Sequence, residues 1–514
     1  MKNKSSTSYL IRYLFFAFAL AFTFTAFIPA YADTEAAVDS KPADTVVNRH
    51  ATLKIGYENT NLPDGQSMGI IGTTYLVEIG RGFYFGPAAY GAVTGERGGF
   101  FSVGGELAWH YPLISKLELQ TGIFAGGGGG GGGKSVWGGG LMLRPHVDML
   151  WDFGFIKAGI TASHVDFPNG GDISSGQIGF VLARDSNFSC LTSGSAGHSI
   201  APQGRQGMGV DRLVITMGSY FPGTAVRNLG GEPSEDHIGY VGTRLEQFII
   251  PSLYWGFEAA GAASGDSDGY AEFLGTLGAE TPVWSDRLTF GSRLALGMGG
   301  GGGVSVGGGL LCKLGAYATL NLNRGIHFSL EGGYASAPDG DFRAPYGSVN
   351  LGFDLDHPFD NNARSTVDAY EFIFGSEHYF DAAYKDGTKR DIDAVTIKIN
   401  RYLNDFIYLT GQAHSAWNGN SGSYSAGLVG AGLRSPKFAS ILSVGAEMLA
   451  GAAGGASLDT SGGMIVQPMA YLNMELTKEI AVKLGVGRII SVKGEMDSTV
   501  LDAALCFNFG VGSR

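Results

Sequence analysis

The sequence predicts an all-β fold, with about 24 antiparallel strands running up and down and closing into a barrel. Three observations predict it. Apolar and polar residues alternate with a period of two, the whole pattern occurs three times, and short connections alternate with long ones.

The alternation is clearest in the third repeat. Val395, Ile397 and Ile399 alternate with Thr396, Lys398 and Asn400. Ile407, Leu409, Gly411 and Ala413 alternate with Tyr408, Thr410, Gln412 and His414, and Val482, Leu484 and Val486 with Lys483, Gly485 and Gly487. Side chains two apart share a face of a strand, so each run has one apolar and one polar face.

The repeat is anchored on glycine. Gly126–Gly133 leads into Leu141-Met-Leu143, Gly299–Gly303 into Leu310-Leu311, and Gly451-Ala-Ala-Gly-Gly455 into Met464-Ile-Val466. The copies span 50–186, 211–357 and 366–511, a period of about 155–160 residues, too long for a solenoid unit. Each copy therefore reads as a module of eight strands. Around them lie a polar leader at 33–49, a Ser-, Gly- and Gln-rich linker at 187–210, and a short linker at 358–366.

Tight turns are expected at Ile114-Ser115-Lys116, Trp284-Ser285-Asp286, Asn323-Arg324-Gly325, Asn404-Asp405 and Ser435-Pro436-Lys437. The opposite end carries longer loops such as Asn61–Gln66, Gly265–Gly269 and Ala337–Arg343. Aromatic residues gather near the tight turns: Phe83, Tyr84, Phe85, Trp109, Tyr111, Tyr254, Trp255, Trp284, Tyr402 and Phe406. Short turns on one side, long loops on the other and an aromatic girdle describe a barrel that spans a membrane, with the turns periplasmic.

Composition and leader agree. Of 514 residues 84 are Gly, 44% are hydrophobic and 16% charged, too apolar for a disordered chain. Lys2, Lys4 and Arg12, the apolar run Leu14–Phe22 and Ala30-Tyr31-Ala32 form a secretory signal peptide over residues 1–32. Its removal leaves 32 basic against 47 acidic residues, a balance that argues against a nucleic-acid partner. The sequence contains no later apolar run long enough for a membrane helix, so the chain must cross lipid with strands. A lipid-facing sheet has to pair every backbone N–H and C=O, which only closure achieves.

In the final strand Leu501, Ala503, Leu505, Phe507 and Phe509 alternate with Asp502, Ala504, Cys506 and Asn508. This resembles the C-terminal targeting strand of Gram-negative outer-membrane β-barrel proteins, although five residues follow Phe509. The resemblance is to the class, not to a particular porin family. It implies the bacterial outer membrane as the location and outer-membrane lipid as the surroundings.

Two closures fit the count. One is a single 24-stranded barrel built from three eight-strand repeats; the other is three separate eight-stranded barrels. Each module ends alike, in Ile178-Gly-Phe180, Leu351-Gly-Phe353 or Phe507-Asn-Phe509. The short connection at 357–366 and the rarity of tandem barrels favour the single ring. As a third of that ring, residues 366–514 alone would have two unpaired edges and fail to fold.

The alternation rule sends Lys54, Glu58, Glu106, His110, Glu118, Lys157, Arg293, Glu331, Lys398, Glu447 and Lys483 to the lumen. Such a set either lines an aqueous path or satisfies itself inside a filled barrel. By the same rule Leu484→Arg should impair assembly while Lys483→Leu should be tolerated.

Other features point less far. The Gly tracts lack the following helix of a phosphate cradle and read as surface loops or places of close backbone approach. Gly265-Asp266-Ser267-Asp268-Gly269, Pro168–Asp172, Pro338–Asp341 and Gly494–Asp497 read as turn chemistry before a cation site, so no metal and no cofactor are expected. His414 and Ser415 are adjacent, so their side chains leave on opposite faces and cannot form a catalytic dyad. Cys190, Cys312 and Cys506 have neither disulfide nor metal spacing. The chain is expected not to be an enzyme. A passive channel for small polar solutes is the favoured expectation. A non-conducting structural or surface barrel, its loops suited to lipopolysaccharide, and the barrel of an export complex are the alternatives.

Overall fold

The computed structural model describes residues 46–131, 139–200, 204–284, 287–323, 325–359 and 365–513. The expected signal peptide and most of the expected polar leader lie outside the described residues. The first repeat folds into β1 (Val47–Asn61), β2 (Ser67–Gly80), β3 (Phe83–Thr94), β4 (Phe101–Ile114), β5 (Leu117–Gly129), β6 (Leu141–Asp152), β7 (Lys157–Asp166) and β8 (Ser174–Cys190). A two-residue strand, β9 (Ser199–Ile200), lies in the linker. The second repeat supplies β10 (Arg212–Tyr220), β11 (Ile238–Ile250), β12 (Leu253–Ser264), β13 (Ala271–Trp284), β14 (Leu288–Gly300), β15 (Leu310–Asn323), β16 (Ile326–Ser336) and β17 (Arg343–Asp354). The third supplies β18 (Ser365–Ala383), β19 (Lys389–Tyr402), β20 (Ile407–Asn418), β21 (Ser425–Arg434), β22 (Leu442–Gly454), β23 (Met464–Glu475), β24 (Ile480–Ser491) and β25 (Asp497–Ser513).

Each repeat closes on itself. β8 returns to β1 with Tyr57 opposite Phe180, β17 to β10 with Leu213 opposite Phe353, and β25 to β18 with Tyr370 opposite Phe509. The phenylalanines of the three similar module ends are thus the closing residues, and the Tyr370 and Phe509 rings stack with centroids 5.8 Å apart. The single 24-stranded ring is therefore not the closure adopted; the chain is three eight-stranded antiparallel barrels. The short connection after β17 does not prevent this. First and last strands of a barrel are neighbours and end on the same side, so a few residues suffice to leave one barrel and enter the next.

The linker between the first two barrels also touches the third. Leu191 bridges to Gly510, Ile200 pairs with Ser365, and the Gln206 side-chain oxygen accepts the Gly512 N–H at 2.7 Å. Arg205 then pairs with Asp211 at 2.9 Å, just before β10. Burial pushes the Asp211 carboxyl above its ordinary range, against the pull of that arginine.

The faces are inverted relative to a soluble protein. Leu314, Leu330, Phe180 and Leu484 are half or more exposed on the outside, while charged side chains fill the inside. That is the arrangement a lipid-spanning barrel requires. Trp109 and Tyr111 stack outside at 5.3 Å, but not every aromatic near the turns joins the girdle. Tyr84 stacks on His110 at 3.8 Å, Tyr254 is fully buried, and the Arg434 guanidinium lies 5.0 Å from the Tyr402 ring centre, so these three point inward. Alternation decides it: Tyr84 stands between Phe83 and Phe85, and only alternate residues can face lipid.

Many glycines are explained by what lies opposite them. Gly72 pairs with Tyr90, Gly278 with Tyr254, Gly291 with Tyr317, Gly432 with Tyr408 and Gly445 with Tyr471. In each pair a Cβ on the glycine would collide with the tyrosine ring. The missing side chain on one strand makes room for an aromatic ring laid flat across the lumen wall.

Two outcomes follow from this closure. Residues 365–514 behind the signal peptide should insert, resist protease and migrate differently when boiled, because the third barrel has no open edge among its eight strands. Leu484→Arg should impair assembly, costing about 2–4 kcal/mol if the position lies at the bilayer midplane. Heat-modifiable mobility on gels reads both.

Candidate functional site: the three barrel interiors

In the first barrel β1, β4 and β6 bring Lys54, Glu106 and Asp148 together, the Lys54 Nζ lying 2.9 Å from each carboxylate. His146 sits between the same two carboxylates, 3.1 Å from Glu106 and 3.0 Å from Asp148. Glu58 pairs with Arg144, and the Tyr90 hydroxyl donates to Glu106 at 3.0 Å. Nearer the tight turns Glu118 joins His110 at 3.3 Å and Lys157 at 2.5 Å. The cavity bounded by Lys54, Glu58, Tyr90, Arg144 and Asp148 measures about 20 Å³. That holds one water and no solute.

The second barrel is the most densely charged. Arg293 bridges Glu258 at 2.6 Å and Glu331 at 2.8 Å, and Lys313 bridges Glu258 at 2.7 Å and Glu272 at 2.8 Å. Tyr220 and Tyr270 both donate to Glu272. Arg212 extends the chain to Glu246 and Glu280, and Arg244 meets Glu246 at 2.5 Å. In the third barrel Glu371 receives Arg434 at 2.7 Å and Lys483 at 3.2 Å, and Lys398 pairs with Glu447. Glu377 accepts from Gln412 at 2.7 Å and Gln467 at 3.0 Å and touches His414 at 3.2 Å.

The eleven residues singled out by alternation thus lie in these networks, each with a named partner. Their partners Arg144, His146, Asp148, Glu258 and Glu371, with Glu272, Lys313 and Glu377 in the same networks, are not among the residues the sequence singles out. The signal was present: Arg144-Pro-His146-Val-Asp148 places three polar groups on one strand face. What sequence could not show is which residues meet across the lumen, since Lys54 and Asp148 are 94 residues apart.

Lys483 requires a revised expectation. It is fully buried against Glu371 and the Tyr471 ring, whose centre is 4.4 Å away. Lys483→Leu removes one of the two cations that neutralise the buried Glu371, so it should destabilise rather than be tolerated. His414 and Ser415 do diverge: His414 meets Glu377 and Tyr379, while the Ser415 hydroxyl is 2.8 Å from Ser425. Among the described residues no cluster of three or more His, Cys, Asp or Glu could hold a metal ion. Cys190, Cys312 and Cys506 are free thiols.

No protein-family model matches the chain, and no curated protein is similar to it at a significant level. Several solved structures are similar over most of its length. OccAB3 of Acinetobacter baumannii is 8% identical, covering 90% of this chain and 99% of its own, with a TM-score of 0.22. OpdQ of Pseudomonas aeruginosa is 11% identical, with 90% and 98% covered and a TM-score of 0.22. The siderophore receptor PirA of Pseudomonas aeruginosa is 8% identical, with 91% and 81% covered and a TM-score of 0.26. Likeness at this level carries no argument for solute or activity, and the barrels' own geometry has to decide.

The networks make a sharp mutational contrast. Removing one member of a buried ion network strands its partners at a cost of about 3–5 kcal/mol. Lys313→Met should therefore weaken the second barrel strongly, and Lys313→Arg much less. Urea unfolding of the protein in detergent micelles would measure the difference.

Proposed function

We propose that the chain is a Gram-negative outer-membrane protein whose three barrels are closed, non-conducting bodies that carry their long loops at the cell surface. One observation carries the reading: every barrel interior is crossed by buried, mutually neutralising ion pairs. Eight strands leave an interior just filled by side chains, whereas barrels of sixteen or more leave a water-filled path. The passive channel expected from a 24-stranded ring is the alternative reading, and closure at eight strands speaks against it.

The outward apolar belt supports the membrane setting, and the loop-length rule supports long loops outside the cell. Exposed basic groups at the outer ends of the strands suit lipopolysaccharide phosphates. Arg488, half-exposed near the end of β24 and 2.7 Å from Asp497, is one such group. No catalytic step belongs to the proposal.

Planar-bilayer recording of the purified mature protein tests it. The expected result is a silent membrane, with insertion verified separately by protease protection in vesicles. Steady stepwise conductance from the intact protein would overturn the reading and restore the channel.

A further inference from the structure

The three barrels touch in a cyclic order. β3 of the first packs against β14 and β15 of the second, β12 of the second against β22 and β23 of the third, and β20 of the third against β4, β5 and β6 of the first. The third strand of each barrel thus meets the fifth strand of the next. Such head-to-tail contacts close a ring when the rotation allows, and here they close after three.

The glycine-rich segments form these contacts. Gly140, Gly309 and Gly463 occupy equivalent places, each accepting a backbone bond from the end of its own fifth strand, from Gly128, Gly299 and Ala453 respectively. Each faces a carbonyl of the neighbouring barrel, those of Ala416, Ala92 and Ala262, and a Cβ on any of the three would fall well inside 3.0 Å. Further down, Gly127 faces the Ser415 backbone, Gly91 faces Met298 and Gly261 faces Ala452, again the same place three times. Polar contacts span each joint. Gly98 N–H donates to Gly307 at 2.9 Å, the Asn169 amide donates to the Trp417 carbonyl at 2.8 Å, and Lys385 pairs with Asp268 at 2.9 Å. Val93, Phe101 and Met298 form a buried apolar cluster between the first and second barrels.

Counting from the seam glycines, Arg144, Lys313 and Gln467 are equivalent, and so are His146, Gly315 and Met469. These two inward positions differ in chemistry, whereas Tyr84/Tyr254/Tyr408 inside and Gly140/Gly309/Gly463 and Ala92/Ala262/Ala416 at the seam are each the same residue in all three copies.

We propose that the glycine segments are docking seams, each barrel being the specific partner of the next, so that the chain is an intramolecular trimer whose barrels stay joined when the connections between them are cut. This is independent of whether the interiors conduct.

The test uses the full chain with one protease site inserted between Ile200 and Gly204 and another between Pro358 and Arg364. After assembly in the outer membrane the sites are cut, and the detergent-extracted protein is run unboiled and by size exclusion. The three fragments should migrate together at the uncut position and separate only on boiling. Separation of the unboiled fragments would overturn the proposal. In the cut chain, Gly127→Leu with Gly261→Leu widens both joints of the third barrel. It should release that fragment and leave the first two together, each fragment still heat-modifiable. Gly411→Leu, where a side chain meets open space, should change nothing. If the Gly127/Gly261 fragments stay folded and joined as in the unmodified chain, the seams are not where the barrels are held.

Discussion

A backbone polar group cannot be left unpaired in hydrocarbon, and the rest of this structure follows from that constraint. Each repeat meets it alone by returning its eighth strand to its first. Once closed at eight strands, a barrel has little interior to spare, and whatever points inward must fit and be neutralised there. Closure number thus sets lumen width, and lumen width sets what the protein can do.

The interiors answer in two ways. Tyrosines lie flat over glycines on the adjacent strand, taking up volume, and carboxylates are shared between two cations or between a cation and a hydroxyl. Lys313, held between Glu258 and Glu272, shows why the networks are extended. An isolated buried pair barely repays its desolvation, whereas a carboxylate with several donors is satisfied on both oxygens. The abundance of glycine has a second origin on the outside, where barrel meets barrel, so one composition figure conceals two unrelated requirements.

Much of this was legible in the sequence because alternation is local. Lys398 and Lys483 inside, Leu484 outside, and the divergence of His414 from Ser415 follow from counting by twos. The three-fold repeat and the module ends were equally plain. Closure was not, because it depends on whether Phe180 pairs with Tyr57 or with a strand of the next module, and both pairings suit the same pattern. Tyr84, Tyr254 and Tyr402 lie near turns as an aromatic girdle would, but strand parity turns them inward. The meeting of Lys54 with Asp148 needed the curvature of the closed sheet.

The two faces of each strand answer to different neighbours: the inner face to its own barrel, the outer face to lipid or to the adjacent barrel. The three interiors are separate compartments, whereas each joint sets the glycine bonded to the end of one barrel's fifth strand against an alanine carbonyl of its neighbour. A gene arranged this way can vary its contents one compartment at a time, and Arg144, Lys313 and Gln467, standing at one place in three copies, are the trace of that freedom.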